Sequence, residues 1–267
     1  MSRYDFRTPR LFVDASLEAG CTVALDAAQA NYLGNVLRLK PEDSVLLFNG
    51  RDGEWRGSLA RTGKRALLVA IAVRTRAQTP ALDFHYVFAP LKHARLDYMV
   101  QKAVEMGVAR LQPVITRHTH TTRVNLERMR ANAIEAAEQC GILTLPEIGA
   151  PLGFDAMLAA HDRSRLLVFC DEDAEVRDPV AALAAARPAD GNGPVPLAVL
   201  VGPEGGFAEG ERAALLRLPN TVRLALGPRI LRADTAAVAA LAVVQAVLGD
   251  WRGGRRGPRN ALSAPTV

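Results

Sequence analysis

The chain has 267 residues, 49% hydrophobic and 23% charged, an ordinary globular balance that excludes a disordered or fibrous protein and predicts two domains or one large one. Its three cysteines (Cys21, Cys140 and Cys170) are too far apart in sequence for a CxxC metal or redox pair, and their sparsity fits a reducing compartment. The formal net charge of +5 is unevenly spread: residues 1–76 carry 12 basic and 8 acidic side chains, the tail 251–267 has four arginines and no acid, and 77–250 is acidic by 3.

The opening residues, MSRYDFRTPRLF, lack the apolar stretch of a signal peptide. Short strands are predicted at 10–13, 22–25, 44–49, 54–61 and 65–73, separated by the turn formers Asn49-Gly50, Asp52-Gly53 and Thr62-Gly63. One helix interrupts them at 26–39, where Ala30, Leu33, Val36 and Leu37 recur at helical spacing. This pattern reads as a small β-barrel over 1–76. Its excess of positive charge would attract a phosphate backbone, or else mark a solvated surface. The polar stretch 74–81 is the expected domain boundary.

From there to residue 250 the rhythm changes. Strands at 82–90, 110–116, 165–171, 196–202 and 221–227 alternate with helices at 95–106, 125–140, 179–186, 209–218 and 235–248. Alternation of this kind predicts a parallel α/β sheet. Lys102 and Glu105 have the spacing of an ordinary surface ion pair. His118 and His120 have no acidic or cysteine partner at ligand spacing, so they read as a polar loop and no metal site is expected. Glu135 and Gln139 share a helix face that is either a solvated stripe or the wall of a cleft. The segment 185–196 reads as a flexible surface loop and 251–267 as a flexible basic tail. The longest apolar tract, 236–248, contains Gln245 and falls short of the ~20 residues of a membrane span, so a soluble, cytoplasmic protein without membrane contact is expected.

In open parallel sheets, ligands bind beyond the carboxyl ends of the strands. Two such ends carry unusual turns, VLVGPEGGF at 199–207 and LALGPRILRADT at 224–235. Glycines allow close backbone approach, and a following helix start offers free N–H groups. Neither turn matches a P-loop or GxGxxG, which disfavours ATP and NAD. Glu204, Arg229, Arg232 and Asp234 cluster beside the two turns and mark them as a candidate site.

These motifs, with RLFV, YLGNVLRLK, QKAVEMGV, EAAEQCG and LPEI, resemble the ribosomal RNA small subunit methyltransferase E family of the SPOUT class over about residues 10–248. The resemblance implies a PUA-like barrel, then an α/β domain with a C-terminal trefoil knot, acting as a homodimer. It implies S-adenosylmethionine as cofactor and methylation of a uridine at ring nitrogen 3 in 16S ribosomal RNA, free or within the small ribosomal subunit. Carried onto this chain, Val201, Gly202, Glu204, Gly205, Gly206, Leu226, Gly227, Ile230 and Leu231 would hold the cofactor, with 170–172 as a third wall. Arg10, Arg38 and Arg229 would hold RNA, and the Ala-rich last helix could meet its counterpart in the dimer.

Methylation at a protonated ring nitrogen needs a proton acceptor or a cation for the developing anion. Arg232 is the candidate cation, and Asp234 would orient it or take the proton; the competing reading is a structural Arg232–Asp234 pair. Glu204 either contacts the cofactor or caps the following helix. The chain departs from the family wording at Ile142 (usually Arg), at Asp234 in LRADT (usually Glu) and at Thr116-Arg117-His118 (usually Ser-Glu-Arg). Two other functions remain open: an RNA-binding assembly factor with weak or lost catalysis, and a SPOUT methyltransferase with another RNA target, such as transfer RNA ribose.

Overall fold

The computed structural model describes residues 5–62, 66–175, 178–187 and 195–251. Two sheets form. The first contains β1 (Arg10–Phe12), β2 (Thr22–Ala24), β3 (Ser44–Phe48), β4 (Glu54–Thr62) and β5 (Ala66–Arg76), in the order β1-β3-β4-β5-β2. Only the β1–β3 pairing is parallel. Along β5 the alternation of Leu67, Val69 and Ile71 with exposed or half-buried neighbours directs one face into a core shared with Val23, Val45, Leu47 and Leu59.

The helix expected over 26–39 is shorter than its apolar spacing suggests. Asp26 caps α1 (Ala27–Asn31) through a reciprocal bond with Gln29, and a π-helical turn (Tyr32–Val36) follows. Gly34 lies inside that turn and Arg38 adopts a left-handed φ of 57°, so the α-helix is not continued. Leu33 is nonetheless fully buried in the first core.

The second sheet is wholly parallel. It contains β6 (Phe84–Phe88), β7 (Arg110–Ile115), β8 (Glu147–Ile148), β9 (Leu152–Gly153), β10 (Leu166–Cys170), β11 (Leu197–Val201) and β12 (Thr221–Leu224). The order is β12-β10-β11-β6-β7-β8, with β9 also on β7. The runs LLVFC and LAVLV are buried almost throughout because helices cover both faces. One face packs under α2 (His93–Glu105), α3 (Leu126–Cys140), α5 (Pro179–Ala185) and α7 (Ala233–Val247). The other packs under α4 (Phe154–Ala160) and α6 (Glu209–Leu216). The short elements β8, β9 and α4 have no counterpart in the sequence reading, although Phe154, Met157 and Leu158 have helical spacing. Part of the loop expected at 185–196, residues 188–194, lies outside the described residues, as does the tail from 252 onward.

The two sheets meet at α3. Phe12 and Phe48 pack edge-on, with ring centroids 5.6 Å apart, and join the core of the second sheet. Around them, Phe12 N donates to Glu138 Oε1 at 2.9 Å and Arg76 Nη1 donates to the Gly141 carbonyl at 2.7 Å. No helix among the described residues is long and apolar enough to cross a membrane.

Candidate active site

Strands β11 and β12 both flank β10, so the two glycine turns and the 170–172 segment emerge from three adjacent strand ends. Together they enclose a cleft of about 270 Å³ at the carboxyl edge of the sheet. Val201, Gly202 and Phe207 form one wall, Leu226 to Leu231 another, and Cys170 to Glu172 the third; Ala233 and Ala236 at the start of α7 complete the lining. The first turn is closed by Gly206 N donating to the Pro203 carbonyl at 2.9 Å. A Cβ on Gly202 would stand 2.6 Å from the Phe207 ring, which is itself packed edge-on against Phe169. The backbone at 202 can therefore run this close to the ring only because the residue is glycine.

Asp171 anchors the site. Its carboxylate is buried and accepts from Arg223 Nε at 3.0 Å and Nη2 at 2.7 Å, while Arg212 Nη2 lies 3.1 Å from its other oxygen. These bonds tie α6 and β12 to the end of β10. Arg212 also lines the cleft, and its Nε is buried without a hydrogen-bond partner. Orphaned buried donors are uncommon, and one beside a cleft suits a ligand that carries oxygen acceptors. Burial pushes the Cys170 thiol up to about 12, so it stays protonated and apolar at neutral pH.

The comparisons with known proteins agree with this geometry. Residues 78–245 match the family model described as an RNA methyltransferase domain, and residues 25–72 match an RNA methyltransferase PUA domain. A Synechocystis protein named ribosomal RNA small subunit methyltransferase E is 30% identical, covering 90% of this chain and 78% of its own. The chain belongs to that family. The Rickettsia conorii member is 29% identical over 88% of this chain and 94% of its own. Among solved structures, the Neisseria gonorrhoeae methyltransferase E, bound to S-adenosyl methionine, superposes with a TM-score of 0.79 at 27% identity, covering 92% of this chain and 100% of its own. A Legionella pneumophila methyltransferase in complex with the same cofactor gives 0.74 at 28% identity, over 90% and 98%.

Most of the family residues expected at the cofactor site line the cleft: Val201, Gly202, Glu204, Gly206, Leu226, Gly227, Ile230 and Leu231. Ile230 stands at the rim with 92% of its surface exposed. Gly205 is exposed and is not part of the lining; His118 lies beside it, with Nδ1 3.0 Å from the Gly205 carbonyl and 3.3 Å from that of Gly206. Glu204 pairs with Arg95 at 3.4 Å and does not cap the next helix, because Ala208 and Glu211 fill that role for α6. Arg229 is exposed on the cleft wall. Arg232 is exposed just before α7 and Asp234 is half-buried in its first turn; the two form no ion pair among the described residues. The reading in which they pin the fold as a pair therefore has no contact to support it.

Two RNA expectations separate. Arg38 is exposed, as an RNA contact requires. Arg10 is not: its side chain is buried between the sheets, where Nε donates to Glu54 Oε2 and Nη1 to the Glu138 carbonyl. The carboxylates nearest to Arg10 in sequence, those of Asp5 and Asp14, do not pair with its side chain; that of Glu54 does, and it is distant in the chain, as is the Glu138 carbonyl, so nothing local announces either.

Ile142, where the family usually has Arg, packs half-buried against the core of the second sheet, so the change is accommodated by apolar burial. Glu135 and Gln139 line a groove between α3 and the N-terminal sheet, joined by a 3.2 Å hydrogen bond. The small-residue face of α7 (Ala237, Ala240 and Val244) is buried within this chain, against α2 and β11 among other elements, and so is not free to meet a second copy.

Proposed function

We propose that this chain methylates ring nitrogen 3 of a uridine in 16S ribosomal RNA, using S-adenosylmethionine. The observation that carries the reading is the single cleft made from both glycine turns, together with the likeness to two solved methyltransferases that hold that cofactor. When bound, the cofactor supplies an electrophilic methyl group. The cleft suits it: apolar walls from Val201, Leu226 and Leu231 lie beside the carboxylate of Glu172 and the orphaned Arg212 Nε.

The chain's own residues would position and activate the uridine. Arg232 is an exposed cation with no acidic partner among the described residues, one position before Ala233 in the cleft lining. It would stabilise the anion that forms as ring nitrogen 3 loses its proton. Asp234 lies one position beyond Ala233 and would accept that proton or orient the base.

In this reading 1–76 is the RNA-binding PUA-like module, 77–250 the SPOUT domain with its trefoil knot, and 251–267 a basic extension. Arg38 and Arg229 would contact RNA. A homodimer and a cytoplasmic location belong to the same reading, with Thr235, Ala239, Ala242 and Ala246 leaving a small-residue side of α7 that is only partly covered.

Purified protein incubated with labelled cofactor and undermodified small subunits, followed by nucleoside mass spectrometry, tests all of this chemistry. Labelled 3-methyluridine in 16S RNA is the expected product. Label in another nucleoside would keep a methyltransferase but discard the target, and no label with normal cofactor binding would favour an assembly factor.

A further inference from the structure

Beyond the cofactor cleft, the carboxyl edge of the second sheet continues across β6 and β7 as two adjoining grooves of about 390 and 300 Å³. They share Leu91, Lys92 and Thr121, and the first also shares Glu204 with the cleft. The path therefore runs unbroken from the cofactor loop, past the start of α2, to the start of α3.

Cations crowd this path. Lys92, Arg95, His120, Arg123 and Arg128 line the grooves, and Arg117 stands exposed on the same loop as His120. The acids along it are already engaged, Glu204 with Arg95 at 3.4 Å and Asp97 with Arg128 Nε at 2.8 Å. The side chains of Lys92, Arg117 and Arg123 are exposed and form no ion pair among the described residues, although the Arg117 backbone N–H donates to Glu211 Oε1 at 2.8 Å.

The opposite edge of the same sheet is built differently. There Arg165 is held by both oxygens of Asp83 at 2.7 and 3.0 Å, and Arg110 by Glu147 at 3.1 Å. Residues 77–250 are acidic by 3 overall, so cations left unpaired along one edge are a local arrangement and not a consequence of composition.

We infer that this groove binds the phosphates of a single-stranded RNA segment flanking the nucleotide presented to the cleft, with Lys92, Arg117 and Arg123 as the principal contacts. The inference rests on the methyltransferase reading for the direction of the strand, not for the charge of the groove. Unpaired cations spaced along a trough suit a repeating polyanion, because each phosphate neutralised releases condensed counterions.

The test is fluorescence anisotropy with a labelled single-stranded oligouridylate across a salt series, comparing full-length wild type with Lys92→Gln/Arg123→Gln. Calorimetry with S-adenosylmethionine accompanies it, since neither residue lines the cofactor cleft. The double variant is expected to bind the cofactor as wild type does, to lose about tenfold in RNA affinity, and to show a salt slope shallower by about 0.7 per cation removed. Arg110→Gln, on the paired edge, should leave the slope unchanged.

An equal loss in Arg110→Gln would overturn the groove in favour of general charge attraction. An unchanged slope in the double variant overturns it too, and impaired modification of whole subunits alongside would then assign the surface to an acidic protein. Wild type that binds cofactor but not oligouridylate refutes the groove alone. Wild type that binds RNA with the expected slope difference but no cofactor refutes the methyltransferase reading alone.

Discussion

Arg10 Nε donates to Glu54 Oε2 at 2.7 Å with each side chain only 3% exposed, and this pair sits where the two sheets join. Arg76 Nη1 lies 3.3 Å from the same Glu54 oxygen and also donates to the Gly141 carbonyl. Arg10 reaches the Glu138 carbonyl at the end of α3. Two arginines and one glutamate thus connect β1, β4 and β5 to α3 through directional bonds. Removing one partner of a buried pair costs about 3–5 kcal/mol where the other charge is left uncompensated; Arg76 still faces Glu54, which places the loss of Arg10 at the lower end of that range.

Arg10→Ala should therefore lower unfolding stability by several kcal/mol in denaturant titration. Its effect on oligonucleotide affinity, measured where the variant is fully folded, should be far smaller than that of Arg38→Ala. Full stability combined with weakened RNA binding would return Arg10 to the surface role expected from sequence.

Glu138 gives a pH dependence to the same junction. Burial raises its carboxyl to about 7, against an ordinary 4.5, although the Phe12 N–H and Arg10 pull the other way. The folded state therefore holds a proton that the unfolded chain releases earlier. The associated stability is present below about pH 4.5 and is lost as pH rises through about 7. Glu138→Gln keeps an oxygen for the Phe12 N–H and removes the titration. With allowance for partial solvent exposure, it should stabilise the protein by about 1–2 kcal/mol at pH 8 and by almost nothing at pH 4.5. Parallel melting curves at the two pH values would reveal whether the difference has this sign.

Two glycines separate close approach from mere punctuation. In Gly202→Ala the new Cβ would press on the Phe207 ring, which Phe169 holds at a centroid distance of 5.0 Å. Overpacking of this kind costs about 1–3 kcal/mol, and the displaced ring should also distort the cleft and weaken S-adenosylmethionine binding at least tenfold. Gly210→Ala meets nothing within 4 Å in the first turn of α6 and should be neutral or stabilising by up to about 1 kcal/mol. Calorimetric titration of both variants is the comparison; equal affinities would mean that Phe207 does not shape the cleft.

Arg232 and Asp234 should part company under mutation, since no ion pair joins them among the described residues. Arg232→Ala is expected to reduce turnover by about 10²–10³, the scale of a lost charge-stabilising donor, while stability changes by no more than about 0.5 kcal/mol at so exposed a position. Asp234→Asn should slow turnover as well, and should cost about 0.3–1 kcal/mol because an acid in the first turn of α7 is favoured by the helix dipole. Normal turnover with a lowered melting temperature in both would make the pair structural after all.

Much of this architecture was legible locally. The buried runs of β10 and β11, the alternation along β5 and the two Gly-Pro turns are patterns of near neighbours, and near neighbours are what periodicity reports. Resemblance to a family added the residues expected to hold a cofactor, of which Gly205 alone is not part of the cleft lining.

What only the tertiary structure decided is which neighbour covers each face. Arg10 is separated from Glu138 by 128 residues and Arg95 from Glu204 by 109, so neither pairing leaves a trace in local spacing. In sequence Glu204 fits a helix cap equally well, but in the fold Glu211 takes that role by accepting from Ala208 N at 3.0 Å. The small-residue face of α7 carries the same pattern whether its cover comes from this chain or another, and packing against α2 and β11 supplied that cover internally. The carboxyl-edge groove collects Lys92, His120 and Arg123 from separate strand ends. Their charges add only because a parallel sheet brings every such end to one side.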